Sequence, residues 1–518
     1  MIASVKKSLS QLLGADYANA VARGSICLFD RDEKEVHDLF DEVIDFLPDQ
    51  FINKMERLID SVGQTLIHGL EKSLPGAATS SFDKATHINA SPLAGLGFIR
   101  LGEDGRIYLV SKSEHYHAPL GHSFPGYKLL ENARSLGITN TTHNNTRGYI
   151  TRFLETELIR TVNGLELSDN QKLEAILSST EKHVLNRVIN LETGSLAVEA
   201  GIKMMLSRFY KLEKNTADSK HKGKTPVFLV MGDNEGGSTA NYHGTTIIAQ
   251  LMRNLWPDLG EKFAKNKIMK IVPVQINNWD DFQAKFFKYN KGRYQIAGFI
   301  HEIILMNYGA IKLQNKYLTD VYTLCHANDV PVLVDEIQSC MWFPGFYLFR
   351  DYHLQPDFIA IGKGFSGGQY PASKIITTCE MDNLSQFGAL VTNGQEELAS
   401  LAYLITMEFT RKNEQHILET GQYYENKLKE LAESYPKYIK CIEGKAHLSS
   451  IHFRNYDYVK KFVIALNEKC IDISAQNYKE NSSAAALTKL PTIATQKMVD
   501  YICAEMSIVL SNGFISEV

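Results

Sequence analysis

Between about residue 170 and residue 390, short apolar runs alternate with stretches of helical periodicity. This alternation constrains the fold more than any other feature. Six runs read as strands: Pro226–Met231, Lys270–Val274, Ile296–Glu302, Pro331–Glu336, Asp357–Ile361 and Lys374–Thr378. Strands alternating with helices fold as an α/β sheet, mostly parallel. Upstream, Gly95–Arg100 and Arg106–Val110 flank Glu103-Asp104-Gly105, a hairpin signal. From about residue 396 to the end the pattern returns to helix, strand-like pieces and helix, which reads as a smaller α+β domain.

The first 88 residues differ. Apolar residues at near-helical spacing (Val36, Leu39, Phe40, Val43, then Phe51, Ile52, Met55, Leu58) predict a helical extension. Asp30 with Glu33 resembles a capping box, Pro48 separates two helices, and residues 75–82 read as a linker. Residues 1–13 lack arginine and an apolar signal core, so they read as a surface helix rather than a leader.

A chain of 518 residues exceeds what one core normally carries. Its 44% apolar and 22% charged residues exclude a disordered or coiled-coil chain. The net charge of −4 gives no electrostatic reason to expect nucleic acid or an anionic membrane. Seven scattered cysteines without C-x-x-C predict reduced thiols and a cytoplasmic setting. No window approaches a membrane span.

Open α/β sheets bind ligands at the carboxyl ends of their strands, so polar residues there carry the chemistry. One strand ends in Asp335-Glu336, an acidic pair that also suits a helix start. A second runs into Gly362-Lys363-Gly364. A buried lysine must be paired, neutral or covalently engaged, and lysines bind carbonyl cofactors as Schiff bases. Glu192-Thr193-Gly194-Ser195 opens a helix whose free N–H groups suit a phosphate, or simply cap the helix. Tyr242-His243-Gly244 offers an aromatic face. A carboxylate, an amine, a phosphate cradle and an aromatic platform together fit pyridoxal 5′-phosphate.

The ordered segment from Val332 to Ser373, with Lys363 lying 28 residues after Asp335, resembles the signature of class III pyridoxal-phosphate-dependent aminotransferases of fold type I. Gly121-His122-Ser123-Phe124-Pro125, Thr193–Ala200, Tyr242-His243-Gly244, Glu302 to Gly309 and Val391-Thr392-Asn393-Gly394 resemble further family segments in the family's order. The resemblance covers roughly residues 90 to 510. It implies a large domain with a seven-stranded, mostly parallel sheet flanked by helices. It also implies a smaller α+β domain and a homodimer with a shared active site.

By matched position, the resemblance implies that Lys363 is the Schiff-base lysine and proton carrier. Asp335 pairs with the pyridinium nitrogen, and Gln338 contacts the ring's 3′-oxygen. Thr193, Gly194 and Ser195 hold the phosphate, Tyr242 stacks on the ring beside His243, and Glu302 marks the next strand end. Thr392 reaches the phosphate of the neighbouring subunit.

Several positions depart from the family pattern. Ile303 stands where the family has proline, and Asn307 where many ω-aminotransferases have glutamate. The stretch Ala486–Pro491 lacks the family's arginine. Substrate-facing candidates are Tyr116, Arg147 as a carboxylate clamp, and Asn307. His115, His117 and His122 lack a carboxylate at fixed spacing, so no metal is expected.

The expected division is 1–88 helical extension, 89–150 an N-terminal segment packing with the small domain, 151–395 the large cofactor-binding domain, and 396–518 the small domain. The expected activity is transfer of an amino group from an amino acid or amine to a keto acid or aldehyde. Aminomutase, racemase, phospho-lyase or decarboxylase chemistry on the same scaffold, or a non-catalytic partner module, are the alternatives.

Overall fold

The computed structural model describes residues 2–233, 237–389, 391–476 and 484–512. Its largest sheet holds seven strands: β1 Leu185–Leu191, β2 Thr225–Met231, β3 Lys270–Val274, β4 Tyr294–His301, β5 Val332–Asp335, β6 Phe358–Ile361 and β7 Ser373–Thr378. Their order is β1-β7-β6-β5-β4-β2-β3. The pairs β2–β3, β2–β4, β4–β5 and β5–β6 are parallel, and β7 runs antiparallel to both neighbours. The mostly parallel α/β sheet is thus as expected. Six strands match the apolar runs to within two residues. β1 went unrecognised because Asn186, Arg187 and Asn190 interrupt its apolar pattern.

The strands divide their side chains between two layers, with the period of two that a pleated backbone imposes. Phe228, Val230, Leu333, Phe358 and Ile375 face one cluster; Val227, Leu229, Val332, Val334, Ile359 and Ile376 face the other. Four helices matter for the site: α1 Tyr149–Val162, α2 Gly194–Ser207, α3 Asn315–Ala327 and α4 Glu397–Lys412. α2 covers the first layer with Ala197, Val198, Met204 and Met205. Gly201 allows its close approach: a Cβ there would lie 2.5 Å from Leu333 Cδ1. α1 and α4 are locked together. The Glu397 carboxylate accepts from Ile150 N (2.9 Å) and Thr151 N (3.0 Å), satisfying first-turn donors that the helix itself cannot.

A second, antiparallel sheet has the order Ile439–Glu443, Ser450–Phe453, Ala485–Leu487, Ser474–Ala475, with helices Glu414–Ser434, Tyr456–Glu468 and Gln496–Ser511 around it. The expected hairpin forms between Ile99–Gly102 and Ile107–Leu109. Gly95–Arg100, however, is not one strand. Gly97 turns the chain at φ 56°, and Pro92–Leu96 pairs back onto Ile99–Gly102. Met55 explains the glycine, since a Cβ at residue 97 would lie 1.7 Å from its Sδ.

The N-terminal helices Ala15–Phe29, Glu33–Asp41 and Asp49–Ile59 pack on their own chain, burying Ala22, Val36, Phe40, Met55 and Ile59. Pro48 does precede the third of them. The capping box expected at Asp30 is corrected. Asp30 ends the previous helix in a left-handed conformation, and Asp32 accepts from Glu35 N at 3.1 Å. A short helix, Ser80–Ala85, begins inside the segment read as a linker. No helix among the described residues is long and apolar enough to cross a membrane.

Candidate active site

The carboxyl ends of the parallel strands converge on one cavity of about 550 Å³. β5 ends at Asp335, β6 leads through Gly362 to Lys363, and β1 leads through Glu192 to Thr193, which precedes α2. Thr193, Gly194, Ser195, Tyr242, His243, Asp335, Gln338 and Lys363 all line the cavity. Glu302, after β4, stands behind it, and its Oε1 accepts from Gln338 Nε2 at 2.9 Å.

Two hydrogen-bonded groups make up the floor. The Asp335 carboxylate is held by His243 Nδ1 (2.8 Å) and Ile337 N (3.0 Å). Gln338 spans Glu302 and Lys363, its Oε1 accepting from Lys363 Nζ at 3.4 Å. Burial pushes the Lys363 ammonium below its ordinary pKa, while Glu302 and Asp335 favour its charge. Burial, with the Asp335 charge beside it, pushes the Glu302 carboxyl well above its ordinary value. Lys363 itself sits at φ 40°, a conformation that L side chains rarely adopt and that recurs at functional sites.

The Aminotransferase class-III family model matches residues 103–481. The chain belongs to the class-III aminotransferase family. It is 25% identical to the acetylornithine aminotransferase of Aquifex aeolicus over 60% of this chain and 77% of that one. It is 28% identical to the mitochondrial ornithine aminotransferase of Arabidopsis thaliana over 34% of this chain and 37% of that one. Among solved structures, an adenosylmethionine-8-amino-7-oxononanoate aminotransferase from Methanocaldococcus jannaschii superposes with a TM-score of 0.64 at 20% identity, covering 89% of this chain and 99% of that one. The enzyme is a transaminase that depends on pyridoxal 5′-phosphate, and its site fits that group. His243 Nε2 and Glu302 Oε2 are buried without a hydrogen-bond partner. Gly244, at φ 118°, brings its backbone onto Ser195, where a Cβ would lie 2.5 Å from Oγ.

The mouth of the aminotransferase site is less ordinary. Ser113, Glu114, His115 and Tyr116 have φ of 47°, 46°, 55° and 76°, a left-handed turn. Each such residue costs about 1–2 kcal/mol. Glu114 ties the turn down by accepting from Arg100 (2.7 Å) and meeting His122 Nε2 (2.9 Å). Burial raises the Glu114 carboxyl's pKa, but these two partners override it and hold it at about 2. His115 and His117 line the cavity. Burial, then the Lys112 and Lys363 charges, pushes the pKa of His115 down to about 4. His122 faces Glu114 instead of joining the other two.

Of the substrate-facing candidates, Tyr116 is buried, with Lys363 Nζ 5.3 Å from its ring centre. Arg147 does not line the cavity; it is half-exposed and pairs with Glu155 at 3.6 Å. Asn307 is buried outside the cavity lining, its main-chain oxygen accepting from Gln476 Nε2. Thr392 is exposed and lies outside its own chain's cavity.

One residue was missed altogether. Lys489, in the stretch noted only for lacking arginine, is fully buried. It lies 3.5 Å from the Trp342 ring centre and 5.0 Å from that of Tyr116, and donates to the Gln338 main-chain oxygen. Burial, then the Lys363 charge, pushes its pKa well down. A lysine among apolar neighbours was the available signal.

Proposed function

We propose that this cavity transfers an amino group from an amino acid or amine donor to a keto acid or aldehyde acceptor, with Lys363 as the covalent anchor for the cofactor. The observation that carries the reading is the position of Lys363 Nζ. It is half-buried just past a strand end, within reach of Gln338, with Glu302 and Asp335 as the charges that most favour its ammonium form. Bound pyridoxal phosphate supplies the electron sink that weakens bonds at the amino carbon.

The rest follows from the chain's own groups. Asp335, oriented by His243 and Ile337 N, offers a fixed carboxylate to the ring nitrogen. Gln338, oriented by Glu302, offers its amide to the ring oxygen. Thr193, Gly194 and Ser195 at the start of α2 receive the phosphate, and Tyr242 covers the ring. Lys363, its pKa lowered by burial, holds and returns the proton at the amino carbon.

Exposed Thr392 is read as reaching the phosphate site of a second copy, which makes the working enzyme a homodimer. Seven unpaired cysteines favour a reducing, cytoplasmic setting. The division at residues 88, 150 and 395 is retained as the domain assignment.

The test is borohydride reduction of the purified enzyme, followed by peptide mass analysis. Cofactor mass on the Lys363 peptide in wild type, and none in Lys363→Ala, is expected. Cofactor on another lysine, or no uptake on reconstitution, would overturn the assignment.

A further inference from the structure

At the opposite ends of the strands, three potential ligands meet. Asp357 immediately precedes β6, His183 lies two residues before β1, and His326 sits in the last turn of α3. One ligand atom from each lies within 4.8 Å of the other two. His183 Nδ1 is 2.8 Å from Asp357 Oδ1, and the two imidazoles stack with centres 3.9 Å apart.

The surroundings hold these groups as ligands are held. Asp357 Oδ2 accepts from Val332 N at 2.9 Å, and its main-chain oxygen accepts from Thr377 Oγ1 at 2.9 Å. The carboxylate therefore cannot swing away, and Oδ1 is the oxygen left toward the histidines. His326 Nε2 is buried without a hydrogen-bond partner, although the Gln355 backbone bonds the same ring. A neutral imidazole nitrogen with no hydrogen-bond partner is a common metal ligand. Burying that free nitrogen unpaired is otherwise unfavourable. His183 is partly exposed, which leaves a path from solvent.

We propose that His183, His326 and Asp357 form a binding site for a divalent transition metal of the zinc type. Two imidazoles and one carboxylate suit Zn²⁺ and disfavour Mg²⁺ and Ca²⁺, which take oxygen ligands. The ion takes the place of the proton on His183 Nδ1, which moves to Nε2 of a neutral ring or, from the imidazolium, is released to solvent. Ligand atoms on one tetrahedral zinc lie about 3.3–3.5 Å apart. The His183–Asp357 pair therefore opens by a few tenths of an ångström while His326 closes in. A water on the His183 side completes four-coordination. The bound ion joins the starts of β1 and β6 to the end of α3, behind the strands that present Thr193 and Lys363.

The test loads the holoenzyme with Zn²⁺ and dialyses it against metal-free buffer. Elemental analysis then gives the retained metal. One equivalent per chain is expected in wild type, with at least tenfold less in His183→Asn and His326→Asn, whose cofactor absorption is expected to match wild type. Added Zn²⁺ raises the thermal midpoint of wild type only. No retained zinc in wild type, or equal retention in both variants, overturns the site. X-ray absorption on Co²⁺-loaded wild type tests it without any variant. A nitrogen and oxygen shell with two imidazoles is expected, and a sulfur shell overturns it. None of these outcomes depends on Lys363 carrying the cofactor.

Discussion

β5 and β6 carry acidic residues at both ends of the sheet, and the two ends handle them in opposite ways. At the start of β6, both Asp357 oxygens have partners, Val332 N and His183 Nδ1, and its main-chain oxygen takes the Thr377 hydroxyl. At the carboxyl end, Asp335 and Glu302 act on one half-buried amine, and Glu302 Oε2 and His243 Nε2 are left without partners. A folded chain gains nothing from burying unpaired polar atoms. The start of β6 therefore keeps its carboxylate bonded into the fold and leaves only an imidazole nitrogen, His326 Nε2, open to an ion, whereas the carboxyl end leaves both a carboxylate oxygen and an imidazole nitrogen open to the cofactor.

The sharpest way to break this contrast is to remove the amine. Lys363→Ala should lower the transamination rate by at least about 10³-fold, since proton transfer and covalent anchoring go together. The fold should survive, because the Lys363 side chain holds no secondary structure together. Half-transamination followed in the cofactor's absorption band, alongside circular dichroism, separates the two effects. An active Lys363→Ala enzyme would remove the chemical distinction between the two ends.

Asp335→Asn comes next. The amide keeps the shape and still accepts from Ile337 N, but loses the charge. The rate should fall by about 10²–10³-fold, the usual cost of deleting one preorganised electrostatic partner, with little change in unfolding midpoint. Asp357→Ala is the mirror experiment. It strands Val332 N–H and should destabilise the fold by about 2–4 kcal/mol, as loss of a buried charged hydrogen-bond partner does. Urea unfolding against kcat reads both variants. If Asp357→Ala lost activity but not stability, the Asp357–Val332 hydrogen bond would not be what holds β6 to β5.

Most of the catalytic end was legible because a strand end announces itself within a few residues. Asp335 and Lys363 each close an apolar run, so local pattern and chemistry coincide. Lys489 was not legible, because its partners Trp342, Tyr116 and Gln338 are remote in sequence and only the second sheet's packing brings them together. The same holds for His183, His326 and Asp357, which come from three separate elements. β1 was overlooked because polar residues interrupt its apolar run. The glycine at residue 97 looked like part of a strand until Met55 filled the space beside it.

The smallest expected effect concerns the rim of the catalytic end, where Glu114 anchors the left-handed turn that carries His115 over the cavity. Its carboxyl lies at about 2, against an ordinary 4.5. A depressed folded-state pKa means stability that is fully present above the ordinary value and lost as pH falls through that window. Wild type should therefore lose stability between pH 4.5 and about 2 with a slope that Glu114→Gln lacks. At neutral pH the variant should be less stable by about 1–2 kcal/mol, the scale of a hydrogen bond to a charged group. Urea midpoints of both proteins across this range measure the difference directly. Parallel curves would mean that Arg100 and His122 do not hold the turn through this carboxylate, and that the rim, unlike the start of β6, is held by packing alone.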